Sequence, residues 1–198
     1  MIFYETEADP EEWFPLPLHW KAADVQRIEE WARTCAEIMY RRHKGWWKRP
    51  DRKALTSRFR LLQEAHPHPG IPADQVFLYG GDPRRVPQPV YALSVTPDGE
   101  DREAGLRTLV QADEKHPVRP PDVTPFTFTR AGAKGLRCLR YFGDGDQLCV
   151  SVNYAWWSEE HQVYASLRTV SGDLGWLFAH DDVFDEFAQG AWLKTAPT

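Results

Sequence analysis

The residue types with the clearest chemical potential lie in a basic segment, residues 41–53. The segment contains seven lysine and arginine residues and one acidic residue, Asp51, so it carries a net charge of +6. Cations beside aromatic rings are what a single-strand nucleic-acid site uses, because the cations bind phosphates and the rings stack on bases. The candidate binding residues of the segment are Arg41, Arg42, Lys44, Trp46, Trp47, Lys48 and Arg49.

The charge of the rest of the chain argues against nucleic acid as the partner of this segment. The whole chain has a net charge of −5, and residues 159–186 carry −6. A molecule with this overall field repels a polyanion, while a local basic patch still steers a complementary surface. We therefore predict docking on a protein partner, with a homodimer through the two opposite-charge segments as another possibility. If the segment has no partner, it is a solvated connector between two helices whose tryptophans pack on the core.

A predicted β-hairpin supplies the second candidate site. Gly143–Asp146 lies between β-rich runs at 136–142 and 148–157, where glycine and aspartate suit a turn. If Phe142 faces Gln147, side chains sort by parity onto two faces. The first face is apolar: Leu139, Tyr141, Leu148, Val150, Val152, Tyr154 and Trp156. The second is mixed: Cys138, Arg140, Cys149, Ser151, Asn153 and Trp157.

The mixed face has three possible roles: a solvent face, a binding surface, or a surface covered by a helix. As a binding surface it would place polar groups against an aromatic wall, which suits a small-molecule pocket. The residues of such a pocket are Arg140, Ser151, Asn153 and Trp157.

Motifs for catalysis or metal binding are absent from the sequence. It contains no GxSxG elbow, P-loop, HExxH or paired CxxC. We therefore predict no catalytic residue, no metal and no cofactor. The three cysteines show no pairing pattern and no signal peptide is evident, so we expect reduced thiols and a cytoplasmic location. No apolar run approaches the roughly 20 residues of a membrane span, and the excess of arginine over lysine suggests a bacterial source.

The pattern of elements predicts an α+β fold with a central antiparallel β-sheet flanked by helices and an N-terminal helical pair. Apolar spacing predicts helices over 24–42, 53–65 and 100–112 and a closing helix over 181–193. Strands are expected at 75–79, 90–95, 126–129, 136–142, 148–157 and 163–170. We interpret residues 1–198 as a single domain, with an extended segment and helical pair over 1–72 and the sheet over 73–198. The closing helix should pack on Val150, Val152 and Tyr154.

The order of elements from Gln75 to Leu193, with a closing helix after a Gly172–Leu174 turn, resembles that of PsbP-like sandwich proteins. The resemblance implies an antiparallel sheet with helices on both sides and a binding or accessory role. From the residues, the preferred hypothesis is a non-catalytic intracellular accessory protein that docks on another protein. The alternatives are a small-molecule enzyme with a pocket on the mixed face and a nucleic-acid binder acting through residues 41–53.

Overall fold

A computed structural model describes residues 2–20, 24–45, 51–66, 68, 70–97, 99, 101–113 and 118–196. Its strands are β1 (Ile2–Thr6), β2 (Trp13–Leu16), β3 (Gln75–Tyr79), β4 (Gln88–Val95), β5 (Asp122–Phe128), β6 (Ala133–Asp144), β7 (Gln147–Ser158), β8 (Val163–Ser171) and β9 (Ala191–Thr195). Its helices are α1 (Val25–Arg42), α2 (Arg52–Glu64), α3 (Arg102–Leu109), α4 (Leu174–Ala179) and α5 (Asp181–Gln189).

The fold is mixed α+β, with a large antiparallel sheet and, in the described part of the chain, five helices. The helical pair is not confirmed as the N-terminal element, because two strands precede the first helix, which starts at residue 25. The described residues form two compact units. Unit 1 comprises residues 1–8 and 90–198, and unit 2 comprises residues 9–89, so the later boundary falls within β4.

Unit 2 is built on the pair formed by α1 and α2. Their apolar stripes are buried, with Met39 and Phe59 fully enclosed, as the helical spacing of the sequence predicts. The antiparallel ladder of β2 and β3 adds aromatic side chains to this core. The rings of Phe14 and Phe59 lie 5.2 Å apart, and the Trp31 indole donates to the Pro15 carbonyl at 3.2 Å.

Unit 1 contains the β4–β8–β7–β6–β5 order of antiparallel strands. Consecutive strands from β5 to β8 are joined by short turns, as expected for an antiparallel meander. The turns at 129–132 and 159–162 lie at one end of the strands, and the turn between β6 and β7 lies at the other. Side chains that follow these turns are therefore brought together at the two ends of the sheet.

The register of the β6–β7 hairpin differs from the prediction by two residues. Phe142 opposes Cys149, and Gln147 pairs with Asp144 instead. Gly145, at a φ of +58°, lets the chain reverse more tightly than the expected four-residue loop. Leu139 opposes Val152 instead of Val150, but because a shift of two preserves parity, the two predicted faces keep their members.

The predicted closing helix over 181–193 is wrong in its last four residues. α5 ends at Gln189, and β9 follows after Gly190 and pairs antiparallel with β1. Ala191 and Leu193 are buried while Lys194 is exposed, a period-two pattern that the short apolar run also fits. Glycine favours a helix end, and the strand forms because its partner β1 comes from the opposite end of the chain.

Helices cover both faces of the β6–β7 hairpin. On the first face, the Tyr154 hydroxyl donates to Asp185 of α5 at 2.6 Å, and Phe178 of α4 lies 6.1 Å from the Tyr141 ring. On the second face, Val110 at the end of α3 packs against Cys138 and Ala155. The mixed face is therefore covered by a helix, which is one of the three roles that the sequence left open.

Candidate functional site

The predicted pocket residues Arg140, Ser151 and Asn153 lie buried beneath the end of α3. The Asn153 side-chain amide donates to the Val110 carbonyl at 3.2 Å and to the Ser151 hydroxyl at 3.1 Å. The Arg140 guanidinium donates to the Gln111 side chain at 2.7 Å. These polar groups make structural hydrogen bonds within unit 1. Of the four residues, Trp157 alone lines a cleft described below.

The basic segment is partly neutralised inside unit 2. The two terminal nitrogens of Arg42 donate to Asp9 and Glu12 at 2.6 Å each. The Glu11 backbone N–H and then the Arg42 guanidinium lower the pKa of Asp9. Arg41 lies 3.7 Å from Glu37, and Lys44 is exposed just beyond the helix end.

The remaining predicted residues of this segment, Trp46, Trp47, Lys48 and Arg49, lie outside the described residues. The described cations near them do not form an unpaired cluster, because Arg52 also binds Glu37 at 2.7 Å. Whether the segment docks on a partner stays a prediction.

Part of the acidic segment is also paired internally. Arg137 of β6, whose side chain is only 12% exposed, binds Asp181 at 2.5 Å and Asp185 at 2.8 Å. Burial raises the pKa of Asp181, an effect that the Arg137 charge opposes. This cluster joins α5 to the sheet, so two of the seven carboxylates between residues 159 and 186 have a structural role.

A cleft of about 610 Å³ opens at the sheet end that carries the turns 129–132 and 159–162. We name it the indole cleft, after Trp157 and Trp192 in its lining. Gly132, at a φ of +63°, closes the first turn, and Gln162, at +53°, closes the second. Two antiparallel turns at one end of the sheet, with β9 alongside, therefore bring together residues that are distant in sequence.

The indole cleft contains two similar arrangements of arginine, tryptophan and glutamate. The Arg102 guanidinium lies 4.6 Å from the Trp157 ring centroid and 2.5 Å from the Glu159 carboxylate. The Arg130 guanidinium lies 4.5 Å from the Trp192 ring centroid and 2.9 Å from the Glu7 carboxylate. Each arginine is thus held over an indole face by a carboxylate, a cation–π arrangement reinforced by an ion pair.

A histidine in the same cleft adds a buried polar atom. His161 Nδ1 lies 3.1 Å from the Ser158 hydroxyl oxygen, which also accepts from the His161 backbone N–H at 3.4 Å. His161 Nε2 is buried and has no hydrogen-bond partner within the described part of the chain. The serine contact belongs to the β7–β8 turn. Because no third group among the described residues orients the ring, the arrangement suits ligand binding more than nucleophilic catalysis.

The opposite end of the sheet carries an exposed apolar surface. We name it the hairpin-end patch and define it as the exposed side chains of Val118, Leu148 and Phe178 together with the largely buried Tyr141, which is 9% exposed. Val118, Leu148 and Phe178 are 61%, 41% and 44% exposed. Leu148 opposes Gly143, and it is therefore a diagonal neighbour of Tyr141 on the first face, within reach of its side chain. The Val118 N–H donates to the Tyr141 carbonyl at 3.0 Å.

Sequence reasoning missed most of the residues of these two surfaces. Arg102, Arg130 and Trp192 come from three separate elements, and no local spacing connects them. Phe178 lies in α4, a six-residue helix too short for a periodic signal. One available signal was the alternation of Ala191, Trp192 and Leu193, which also fits a strand.

Within the described ranges, no group of three or more histidine, cysteine, aspartate or glutamate side chains is placed to hold a metal ion. The helices described also include none whose length and apolar character would allow it to cross a membrane. A scan against protein-family models gives no match, and no curated protein matches the chain. The similarity to PsbP-like proteins therefore stays a prediction from element order.

Proposed function

We propose that this chain is a non-catalytic accessory protein that docks on another protein through the hairpin-end patch. The observation that carries the proposal is the exposure of Leu148 and Phe178 beside Tyr141, on a face that is otherwise buried in the core of unit 1. Grouped large apolar side chains of this kind mark interaction surfaces in proteins. Aromatic residues at the centre of such a patch supply much of the binding energy.

The charges around the patch define the chemistry of the partner. Asp144 ends β6, Asp146 lies in the adjoining turn, and Asp173 directly precedes α4. Arg119 lies over the Tyr141 ring, with its guanidinium 3.8 Å from the ring centroid. Three exposed carboxylates against one arginine give an acidic rim, so the complementary partner is a protein segment with apolar side chains flanked by lysine or arginine.

The cysteines bear on the cellular location that we propose, and the basic segment offers a second candidate docking surface. The three cysteines are free and buried, which fits the reducing cytoplasm of a bacterial cell. The basic segment 41–53 remains a second candidate docking surface, for an acidic partner. Because its charge is opposite to that of residues 159–186, it would also allow a homodimer in which these two segments pair. Because Arg41, Arg42 and Arg52 already have carboxylate partners in unit 2, the hairpin-end patch is the stronger candidate.

The proposal is tested by comparing what the protein and its variants capture from an extract of the native host. Phe178→Asp and Leu148→Asp each place a charge within the patch. Leu61→Asp is the matched control, because Leu61 is 64% exposed on α2 in unit 2. We expect quantitative mass spectrometry to find a protein that the parent and the Leu61→Asp variant retain and that both patch variants lose by at least about tenfold.

Two outcomes would contradict the proposal. One is equal capture by parent and patch variants that show unchanged thermal unfolding. The other is a dimer of the parent in size-exclusion chromatography with light scattering that Phe178→Asp converts to a monomer, since the occupant of the patch would then be a second copy.

A further inference from the structure

The indole cleft has the features of a second binding site, separate from the hairpin-end patch. We infer that it binds a small planar ring that carries one anionic group. Nucleoside monophosphates and aromatic carboxylates are two sources of this chemistry. The inference does not depend on the proposed docking function, because the cleft and the patch lie at opposite ends of the β6–β7 strands.

The cleft is rich in hydrogen-bond donors that suit an anion. A guanidinium has five N–H donors. Arg102 directs two nitrogens at Glu159, at 2.5 and 3.5 Å, and Arg130 directs Nε at Glu7. Both arginine side chains remain about half exposed, at 54% and 51%, so each guanidinium retains N–H groups for a ligand. Lys134 adds an ammonium group to the lining.

The stacked arrangement of the arginines suits a planar ring. A guanidinium lying on an indole is a flat, polarisable surface whose orientation is fixed, and aromatic rings and nucleobases stack on such planes. Trp157 is itself held by the Tyr164 ring, 5.0 Å away and tilted by 69°. The platform is therefore supported before a ligand arrives, which lowers the entropic cost of binding.

The charge balance favours one negative charge over many. Three cations line the cleft, and three carboxylates offset them: Glu159 and Glu160 in the lining, and Glu7, which pairs with Arg130. The Trp157 side chain and then the Arg102 guanidinium lower the pKa of Glu159, so this carboxylate stays ionised at neutral pH. Fixed carboxylates repel a polyanion, whereas a ligand with a single anionic group can still pair with the arginines.

The volume of the indole cleft and an unpaired nitrogen of His161 are both consistent with a small ligand. A cleft of about 610 Å³ falls within the range of small-molecule sites. His161 lines the cleft, and its buried Nε2 has no hydrogen-bond partner among the residues described. Buried polar atoms are normally paired, and a ligand oxygen or ring nitrogen would supply the missing partner.

Isothermal titration calorimetry on the full chain separates the contributions of ring and anion. The probes are adenosine 5′-monophosphate, adenosine without the phosphate, ribose 5-phosphate without the ring, and indole-3-carboxylate. We expect the monophosphate or the aromatic carboxylate to bind at concentrations up to about 5 mM. Adenosine and ribose 5-phosphate should each bind at least about tenfold more weakly than the monophosphate. The tighter of the two anions identifies the source of the ligand.

Variants then locate the binding. Arg102→Gln and Arg130→Gln should each weaken the binding of the best probe by at least about tenfold. Arg119→Gln is the matched control, because Arg119 stacks on Tyr141 outside the cleft, and it should leave binding unchanged. Lys134→Gln, at an exposed position, provides a further cleft variant that does not disturb the stacks.

The inference is overturned if neither anion binds, if adenosine binds as tightly as its monophosphate, or if Arg119→Gln weakens binding as much as Arg102→Gln. Since Arg102→Gln leaves the hairpin-end patch intact, its effect on the ligand and the effect of Phe178→Asp on protein capture are measured independently.

Discussion

The two faces of the β6–β7 hairpin differ in a way that their compositions do not suggest. The mixed face, with Arg140, Ser151 and Asn153, is buried, whereas the apolar face is exposed at its end through Leu148. The difference arises from the elements that cover them. α3 covers the mixed face, while α4 and α5 cover the apolar face only in part.

The polar side chains of the mixed face are buried at low cost because the end of a helix meets them. The last carbonyls of a helix have no partner inside the helix. The Val110 carbonyl at the end of α3 accepts from Asn153, and the Gln111 side chain accepts from Arg140. A polar sheet face can therefore be an internal surface when the covering element presents complementary groups, and face composition alone does not predict exposure.

The largest expected effect lies on the apolar face. Phe187 of α5 is buried, with 3% of its surface exposed. If the α5 stripe packs on Val150, Val152 and Tyr154, Phe187→Ala removes a core side chain and leaves a cavity. We expect the free energy of unfolding to fall by about 3–5 kcal/mol. Urea denaturation measures this change, and Phe187→Leu, which keeps most of the volume, serves as the control. An unchanged midpoint for Phe187→Ala would show that α5 does not dock there.

A smaller effect is expected for the ion-pair cluster on the same face. Arg137→Met removes the partner of Asp181 and Asp185, leaving two carboxylates and the Tyr154 hydroxyl without their cation. We expect a loss of about 2 kcal/mol, less than for a fully buried pair because both carboxylates are about one third exposed.

Arg102→Met is the matched control for the cluster, because its pair with Glu159 is more than half exposed on both sides. Its substitution should leave the midpoint of urea denaturation close to that of the parent, because solvent screens an exposed pair. Equal losses for the two variants would mean that Arg137 is no better protected from solvent than Arg102.

A substitution on the mixed face should lower the free energy of unfolding by less than Arg137→Met does. Asn153→Ala removes the hydrogen bonds to the Val110 carbonyl and the Ser151 hydroxyl, so the buried Val110 carbonyl loses a donor. We expect a loss of about 1 kcal/mol in chemical denaturation. Ser151→Ala, which keeps the bond to Val110, should cost less. No difference between Asn153→Ala and the parent would indicate that α3 is not held by this contact.

The covering of the mixed face by α3 also predicts thiol reactivity. All three cysteines are buried and free, so denatured, non-reduced protein should react at three thiols. Cys138 lies beneath α3, and in a Cys35→Ala/Cys149→Ala background its labelling at pH 8 should be at least about a hundredfold slower in the folded than in the denatured protein. Fast labelling of the folded protein would show that α3 detaches readily.

The pH dependence of the same thiol has a defined sign. Burial raises the pKa of Cys138 from 9.0 to about 11. A raised pKa in the folded state means that the contribution to stability is complete below pH 9 and is lost as the pH rises towards 11. We therefore expect the free energy of unfolding to decline over this range, and the decline should be weaker in Cys138→Ala.

The sequence by itself determined the features that depend on local periodicity. Helical spacing predicted α1 and α2, and alternation predicted the long strands of the meander, because an element must bury one stripe or one face. The faces of the β6–β7 hairpin were predicted correctly although the turn was two residues shorter than expected, since side-chain direction depends only on parity.

Tertiary structure alone decided the features that depend on distant partners. Residues 191–195 became a strand because β1 lies beside them, and the mixed face became internal because α3 covers it. The indole cleft was equally hidden, since Arg102, Arg130 and Trp192 meet only when two turns, α3 and β9 converge. Each of these contacts joins residues far apart in the chain, and local sequence patterns carry no information about such pairings.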